Sequence, residues 1–218
     1  MDKVKGVIFD FNGTLFWDTP IHNKAWDIFL ETHGIRLTDN EKNKIIHGKN
    51  NKEILTGLFG HQLTEDEILR LSAKKEKKYR QLCLQTDMEM APGAEELLQF
   101  LSVTHIPYTI ATASEKDNVD FYFTILPLNL YFDKSKIIFN DGSLKSKPHP
   151  HIFQKALDDL NLSSSETIIF EDSYAGIKAA ENAGVSKIII VNSTDDDYSR
   201  WNYQTIKNFN EVDRGIFE

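Results

Sequence analysis

The stretch GVIFDFNGTLFWD, residues 6–18, contains an apolar run that ends at two polar side chains, Asp10 and Asn12. Uninterrupted apolar runs rich in β-branched residues are typical of strands that are buried on both faces of a parallel sheet. In an open parallel sheet, functional groups collect at the carboxyl ends of the strands. The stretch therefore predicts a buried first strand with Asp10 at the edge of the sheet where chemistry is expected.

Strand-like and helix-like segments alternate along much of the remaining chain, and this alternation predicts an α/β fold. The further strand-like runs are YTIATA (108–113), KIIF (136–139), TIIFED (167–172) and KIIIVN (187–192). The helical patterns between them are GAEELLQFLSVT (93–104), HPHIFQKALDDLNL (149–162) and YAGIKAAENAGV (174–185). We interpret the segment YQTIKNFNEV, residues 203–212, as an edge strand followed by a short tail.

Residues 20–87 differ from the rest of the chain because they contain no convincing strand. Their helix-like stretches are IHNKAWDIFLETHG (21–34), NNKEILTGLFG (50–60) and TEDEILRLSAKKEKKYRQLCLQ (64–85). We therefore predict a Rossmann-like core domain of residues 1–16 and 88–218, interrupted by an all-helical cap of residues 17–87. Within this insert, AKKEKKYR at residues 73–80 is interpreted as a solvated helix face.

Composition limits the classes of partner that we expect. With 33 acidic and 25 basic residues the formal net charge is −8, so attraction to nucleic acid or to anionic lipid is not expected. A hydrophobic fraction of 40% is enough to build a core. The single cysteine, Cys83, cannot form an internal disulfide, and we interpret it as a helix-packing residue. The first residues show no apolar leader segment, so we expect a cytoplasmic monomer without a membrane partner.

Polar side chains follow several of the predicted strands, and their types suit phosphoryl transfer. Oxygen donors are the ligands that Mg²⁺ prefers, and one or two carboxylates with a substrate phosphate would suffice to hold it. A fixed ammonium group would neutralise further charge. The residues concerned are Asp10, Asn12, Thr112, Ser114, Lys147, Glu171 and Asp172.

Four ordered motifs resemble those of the haloacid dehalogenase superfamily, in particular its phosphatases with a small helical cap that are similar to β-phosphoglucomutase. These motifs are FDFNGTL (9–15), ATAS (111–114), KPHPHIF (147–153) and FEDSYAGIKAAENAG (170–184). The resemblance spans nearly the whole chain, since the helical insert falls where that family places its cap. It implies a magnesium-dependent phosphatase that acts on a small phosphorylated substrate.

The resemblance also implies a role for each matched residue. Asp10 would attack phosphorus and form an aspartyl-phosphate, which divides one hard displacement into two easier steps. Thr112 would donate a hydrogen bond to the transferring phosphoryl group, with Ser114 beside it, and Lys147 would neutralise charge on the phosphate and on Asp10. The implied metal ligands are Asp10, the backbone carbonyl of Asn12, Asp172 and, directly or through water, Glu171.

Asn12 departs from the family pattern, because hydrolases of this family usually have a second catalytic aspartate at this position. An amide has no proton to donate or accept near neutral pH, so we expect slow turnover but intact metal binding. Three explanations stay open. The asparagine is natural, with His22 as a candidate helper; or it is an engineered replacement; or Asn12-Gly13 deamidates slowly and regenerates an acid.

The segment HGKNNKEIL, residues 47–55, resembles the cap loop that faces the active site in this family. Lys52 matches the position of a basic specificity residue, and Lys49 and Asn51 lie alongside. These residues would bind a second phosphate or a sugar hydroxyl, and Lys75 is a weaker candidate of the same kind.

Together these features predict a phosphatase-like hydrolase whose substrate is a sugar phosphate or a similar small phosphomonoester. Two alternatives from the same family remain: a catalytically weak or inactive phosphate-binding protein, and an isomerase of the β-phosphoglucomutase type. A phospho-accepting receiver domain also places Asp, Thr and Lys at strand ends. The helical insert after the first strand argues against that third alternative.

Overall fold

A computed structural model describes residues 3–60 and 63–217 and contains a six-stranded, wholly parallel sheet in the order β3-β2-β1-β4-β5-β6. The strands are β1 (Gly6–Phe9), β2 (Tyr108–Glu115), β3 (Ile138–Asn140), β4 (Thr167–Glu171), β5 (Lys187–Val191) and β6 (Gln204–Ile206). The α/β class is therefore confirmed, and the segment after residue 203 does supply an edge strand.

Eight α-helices accompany this sheet within the described residues. They are α1 (Thr19–Glu31), α2 (Asp39–Ile45), α3 (Asn51–Phe59), α4 (Glu65–Cys83), α5 (Ala94–Val103), α6 (Lys116–Ile125), α7 (His151–Leu160) and α8 (Tyr174–Asn182). Neighbouring side chains of β1 point to opposite faces of the sheet. Phe9 packs into the cluster that contains Leu97 of α5, whereas Ile8 packs into the cluster that contains Phe153 of α7 and Ala180 of α8. β1 is thus covered on both sides, which explains its continuous apolar sequence.

Helices α1 to α4 lie between β1 and β2 in the chain and share a hydrophobic cluster of their own, which includes Trp26, Leu55 and Leu71. The far end of α4 also packs on the sheet, because Tyr79 and Cys83 lie in the hydrophobic cluster around Phe9. Cys83 is a buried packing residue, as predicted, and burial raises the pKa of its thiol to about 12. The cap boundaries at residues 17 and 87 stay a prediction.

Two helices were absent from the sequence prediction. Helix α2 is short and polar, and a capping box between Thr38 and Glu41 stabilises its start. Helix α6 begins directly after β2 and buries Val119, Tyr122 and Phe123. The spacing of these three residues is the helical i, i+3, i+4 pattern, so α6 had a readable signal.

The interpretation of residues 73–80 as a solvated helix face is correct for only part of this stretch, since Lys74 and Lys77 are exposed but three of the other residues are buried. Lys75 and Glu76 are buried, with 2% and 6% of their surface exposed, and Tyr79 is fully buried. These side chains continue the stripe that Ile68 and Leu71 begin on α4, so the helical period carries them inward despite their charge. Among the helices of the described residues, none is long and apolar enough to cross a membrane.

Candidate active site

The carboxyl ends of β1, β2 and β4 place the predicted catalytic residues side by side. Phe9 of β1 is in register with Ile110 of β2 and with Phe170 of β4. Asp10 follows Phe9 directly, while Thr112 and Asp172 each lie two residues beyond the partner of Phe9. A backbone hydrogen bond from Asp10 to the Phe170 carbonyl, 2.9 Å long, continues the ladder to the edge of the sheet.

Lys147 binds two carboxylates in the buried floor of this site. Its Nζ lies 2.5 Å from Asp10 Oδ1 and 2.5 Å from Glu171 Oε1, and 1% of the lysine side chain is exposed. Burial by itself would lower the pKa of Lys147, but the two carboxylates raise it above its usual value. Lys147 is therefore a fixed positive charge, as the sequence predicted.

The buried acids outnumber the buried base, and this imbalance suits a divalent cation. Asp10, Glu171 and Asp172 present carboxylate oxygens that lie within 4.8 Å of one another. Burial raises the pKa of Asp10 to about 7 against the opposing effect of Lys147. Burial also raises the pKa of Asp172, and the charges of Glu171 and Asp10 add to this effect. One ammonium leaves the three carboxylates with uncompensated negative charge, so this donor set fits Mg²⁺.

Glu171 and Asp172 differ in how many of their carboxylate oxygens already have hydrogen-bond partners in the protein. Glu171 Oε1 binds Lys147, and Glu171 Oε2 accepts hydrogen bonds from the backbone and hydroxyl of Ser173, at 2.7 Å and 3.0 Å. Asp172 Oδ1 accepts a hydrogen bond from Thr14 Oγ1 at 3.1 Å. Both oxygens of Glu171 thus have partners in the protein, so Glu171 would contact a bound Mg²⁺ through water.

Gly13 lets the loop after β1 approach Asp172 closely. Its φ is +82°, in the left-handed region that favours glycine, and a Cβ at this position would overlap the Asp172 carboxylate. Only glycine fits at position 13 of the FDFNGTL motif, because a larger residue would collide with Asp172. The role of the Asn12 carbonyl as a metal ligand remains a prediction.

The amide of Asn12 is fully satisfied by its surroundings. Its Nδ2 donates to Asp18 Oδ2 at 2.7 Å and to the Tyr122 hydroxyl at 2.9 Å. Its Oδ1 accepts from Ser114 Oγ at 2.8 Å and from Thr112 Oγ1 at 3.3 Å. Since Asp18 is completely buried, a second aspartate in place of Asn12 would put two carboxylates in contact.

The same geometry weakens the deamidation hypothesis. Succinimide formation requires the backbone nitrogen of Gly13 to attack the side chain of Asn12. That nitrogen donates to the Phe16 carbonyl at 2.6 Å and to Asp18 Oδ1 at 3.1 Å, while Asn12 is held from both ends of its amide. The structure therefore supports Asn12 as a residue that fits its site.

His22, the candidate helper of Asn12, lies in the first turn of α1 and in the wall of the cavity. Its Nδ1 accepts from Lys75 Nζ at 3.0 Å, and its Nε2 faces Asp18 Oδ2 at 3.3 Å. The ring stacks on Tyr79 with a centroid distance of 3.8 Å. Because both ring nitrogens have partners, His22 serves to connect Lys75 to Asp18 and is poorly placed to serve as a proton donor to substrate.

The cap loop contributes Asn51 and Lys49 to the cavity, but not Lys52. Asn51 Nδ2 donates to Glu76 Oε1 at 2.8 Å and to Glu115 Oε1 at 3.3 Å. Lys49 lies at the cavity wall with its Nζ on the Lys44 carbonyl. Lys52 is 64% exposed and pairs with Glu65 at 2.9 Å. The prediction for Lys52 is corrected, since successive residues of a helix point about 100° apart and Asn51 takes the inward position.

Several residues of the cavity were not singled out from the sequence. Glu76 and Asn118 belong to helix faces that the hydrophobic pattern could have identified, whereas Glu115 and His47 gave no signal of their own. Burial alone would raise the pKa of Glu76, but Lys75 and His22 lower it to about 2. Burial raises the pKa of Glu115. The missed residues that line the cavity are His47, Glu76, Glu115 and Asn118.

Comparisons with known proteins find phosphatases among the relatives of this chain. The chain is 28% identical over 198 residues to a phosphorylated carbohydrates phosphatase from Thermotoga maritima, covering 88% of each sequence. It is 25% identical over 189 residues to a fructose-1-phosphate phosphatase from Escherichia coli, covering 86% of this chain and 96% of the relative. A crystal structure of a family IA, variant 3 hydrolase from Entamoeba histolytica superimposes with a TM-score of 0.87 at 33% identity, covering 98% of this chain and 97% of that one.

A family profile, that of the haloacid dehalogenase-like hydrolases, matches residues 7–190. This range begins in β1 and ends in β5, so it includes the whole set of strand-end residues described above. The resemblance inferred from four motifs is thereby confirmed, and the chain belongs to the haloacid dehalogenase-like hydrolase family.

Proposed function

We propose that the protein is a Mg²⁺-dependent phosphatase that hydrolyses a sugar phosphate or a similar small phosphomonoester through an aspartyl-phosphate on Asp10. The observation that carries this proposal is the buried Lys147 ammonium, which bridges Asp10 and Glu171 beside Asp172. The names of the relatives, which are phosphatases of phosphorylated carbohydrates and of fructose 1-phosphate, support the class of substrate. A cap of residues 17–87 and a cytoplasmic location enter the proposal as predictions.

In the proposed reaction a carboxylate oxygen of Asp10 bonds to phosphorus as the bond to the ester oxygen breaks. Lys147, with Thr112 and Ser114 at the neighbouring strand end, would stabilise charge on the phosphoryl oxygens. Water then attacks phosphorus, releases inorganic phosphate and restores the Asp10 carboxylate. Bound Mg²⁺, held by Asp10 and Asp172 with Glu171 behind them, would neutralise phosphate charge throughout.

Asn12 determines the expected rate. The leaving alkoxide must take its proton from water, since neither the amide of Asn12 nor the engaged ring of His22 offers one. General acid and base assistance is typically worth about 10² to 10⁴ in rate. We therefore expect slow hydrolysis of sugar phosphates and faster hydrolysis of esters whose leaving group needs no proton.

Phosphate release from fructose 1-phosphate and from 4-nitrophenyl phosphate, with Mg²⁺ and with a chelator, tests the proposal. Asp10→Asn should abolish turnover of both esters, and the chelator should do the same. Asp158→Asn is a matched control, because Asp158 is an exposed acid on α7 outside the cavity. Turnover that survives in Asp10→Asn would contradict the assignment of the nucleophile.

A catalytically inactive phosphate-binding protein is the second candidate. The observation that favours it is the hydrogen bonding of Asn12, whose amide is satisfied on both sides and leaves the position without an acid. Such a protein would release no phosphate from either ester, yet inorganic phosphate with Mg²⁺ would raise its melting temperature. Measured turnover that depends on Asp10 would exclude this candidate.

A further inference from the structure

We infer that the cap end of the cavity accepts only the uncharged, hydroxyl-bearing part of a substrate that has a single phosphate, and that it rejects a second phosphate. This inference rests on the proposed function, because it assigns the reacting phosphate to the end of the cavity at Asp10. Its basis is the pairing of the charged groups at the opposite end, where α3, α4 and the start of α6 meet.

The described cations at the cap end are already engaged. Lys75 Nζ lies 2.8 Å from Glu76 Oε1 and donates to His22 as well. Lys49 Nζ turns back to the Lys44 carbonyl, at 2.9 Å. His47 is neutral at physiological pH, since burial lowers its pKa to about 4. A second phosphate that paired with Lys75 would separate it from a buried carboxylate and leave Glu76 unpaired, which is costly.

The anions at this end would repel a second phosphate directly. Glu115 and Glu76 both accept hydrogen bonds from Asn51 Nδ2, at 3.3 Å and 2.8 Å, so the two carboxylates flank one amide. Burial already makes the charged form of Glu115 unfavourable and raises its pKa. An incoming phosphate dianion would raise the cost of that charge further.

The two helices that begin near the cavity, α3 and α6, each carry an acid in their first turn, Glu53 and Asp117 respectively. Asn50 caps α3, its Oδ1 accepting from the Glu53 nitrogen at 2.9 Å, and its own nitrogen donates to Ser146 Oγ at 2.8 Å. Helix α6 begins after Glu115 and has Asp117 in its first turn. Helix α6 has no side-chain cap, but the acid in the first turn of each helix offsets the positive end of its dipole and makes a second anion there less favourable.

The same groups are suited to hydroxyls. Carboxylates accept hydrogen bonds from sugar hydroxyls, and amides both donate and accept. Asn118 holds Glu76 Oε2 at 2.7 Å and is itself held by Arg80 at 2.7 Å, so this wall is fixed before a substrate arrives. A preformed wall of acceptors and amides favours a polyhydroxylated leaving group over a charged one.

This charge pattern also bears on the isomerase alternative. In a mutase the bond from phosphorus to Asp10 breaks as a hydroxyl oxygen of a sugar that is already phosphorylated bonds to phosphorus and loses its proton. The product of that step is a bisphosphate, whose second phosphate would lie at the cap end. A site that rejects a second phosphate therefore leaves water as the acceptor.

Calorimetric binding to the Asp10→Asn variant with Mg²⁺ tests the inference without turnover. The matched probes are fructose 1-phosphate against fructose 1,6-bisphosphate, and glucose 6-phosphate against glucose 1,6-bisphosphate. We expect each monophosphate to bind at least about tenfold more tightly than its bisphosphate, since like charges in contact repel one another. A bisphosphate that binds as tightly as its monophosphate would overturn the inference.

Variants at Glu115, made in the Asp10→Asn background, link the selectivity to this wall. Glu115→Gln should reduce the preference for monophosphates, and Glu115→Lys should reverse it, while Glu31→Gln, an exposed acid at the end of α1, should leave it unchanged. Equal preference in all of these variants would refute the role of the wall. Selective binding without wild-type turnover would sink only the proposed function, whereas absence of binding by all four probes would sink both.

Discussion

Asn12 and Asp18 form an amide–carboxylate pair in the loop after β1, with Nδ2 and Oδ2 2.7 Å apart. Asp18 is buried and also accepts from the Gly13 backbone and the Tyr79 hydroxyl. The amide at position 12 therefore supplies a donor that this buried carboxylate needs. The asparagine at position 12 therefore stabilises the loop through Asp18, but it leaves this position without a catalytic acid.

Asn12→Asp should increase hydrolysis of fructose 1-phosphate more than hydrolysis of 4-nitrophenyl phosphate. An alkoxide needs a proton as it leaves, whereas 4-nitrophenolate does not, so only the sugar ester gains from an acid in the step that forms the aspartyl-phosphate. We expect a gain of about 10² or more in kcat for the sugar ester, at the lower end of the range for such assistance. Steady-state kinetics of the two esters provide the measurement, and an equal gain on both would contradict this account.

The double variant Asn12→Asp with Asp18→Asn is the matched control for charge repulsion. It exchanges the two partners and keeps one amide and one carboxylate in contact. In the single variant the neighbouring Asp18 should raise the pKa of the new carboxyl group. The pH optimum of the double variant should therefore lie below that of the single variant, as pH–rate profiles would show.

His47 should make stability depend on pH between about 6.5 and 4. Burial first, and then the charge of His22, lower the pKa of His47 to about 4 from 6.5. The unfolded chain binds the proton more readily, so the stabilisation is complete above pH 6.5 and is lost as the pH falls toward 4. The loss should approach 1.4 kcal/mol per pH unit, roughly the value for one titrating group.

Urea unfolding of the wild type and of His47→Gln at several pH values measures this effect. Glutamine keeps a donor for Asn23 Oδ1, which His47 Nε2 reaches at 2.8 Å, but it does not titrate. The difference in unfolding free energy between the two proteins should shrink as the pH falls. His33→Gln, at the exposed end of α1, controls for loss of a histidine elsewhere. A difference that does not change with pH would refute the assignment.

At the scale of elements, α8 lies directly against the end of β4 because Gly176 has no side chain. A Cβ at residue 176 would overlap the Glu171 carboxylate. Gly176→Ala should therefore displace Glu171 from Lys147 and destabilise the protein by about 1 to 3 kcal/mol, as overpacking does. Phosphatase activity should fall as well, since Lys147 would lose one of its two partners.

Gly57→Ala on α3 is the counterpart of this prediction. Gly57 also lies inside a helix, but nothing within 4 Å would meet its Cβ. Alanine there should stabilise the helix by about 0.5 to 1 kcal/mol. Chemical denaturation measures the free energy of unfolding of both variants. Gly176→Ala should lower it through steric overlap, and Gly57→Ala should raise it through the helix propensity of alanine. Equal stability of Gly176→Ala and wild type would show that α8 can move away from Glu171.

Elements with a strong apolar signal were the ones that the sequence predicted well. The apolar runs of β1 and β4 indicated strands, and every residue from Gly6 to Phe9 and from Thr167 to Glu171 is indeed buried. The position of Asp10 followed from the end of its strand. The sequence did not predict helix α2, because a capping box stabilises this helix and it has no apolar face.

The sequence favoured Lys52 over Lys75 as a cavity residue, whereas the structure places Lys75 in the cavity wall and Lys52 outside it. Sequence shows which residues share a helix face, but the direction of that face depends on tertiary packing.

At the scale of the whole molecule, hydrogen bonds hold the helical insert against the sheet domain on two sides of the cavity. The Asn50 nitrogen donates to Ser146 Oγ at 2.8 Å, and the Ser146 nitrogen donates to Glu53 Oε1 at 3.1 Å. On the other side, Asn43 Nδ2 donates to Asp196 Oδ1 at 2.9 Å. These contacts join the insert to the loop that precedes Lys147 and to the loop after β5, and we expect them to favour an arrangement in which the insert covers the cavity.

Glu53→Ala should raise KM for the sugar phosphate and leave kcat nearly unchanged. The variant removes a contact that favours the closed arrangement, and substrate must then supply that part of the closing free energy. This part-buried hydrogen bond to a carboxylate is worth about 1.5 kcal/mol, so KM should rise roughly tenfold. Lys52→Ala is the neighbouring control, because Lys52 pairs with Glu65 inside the insert and does not reach the cavity. If Lys52→Ala raised KM and Glu53→Ala did not, Lys52 would be the substrate contact that the sequence indicated, and the arrangement of α3 described here would be wrong.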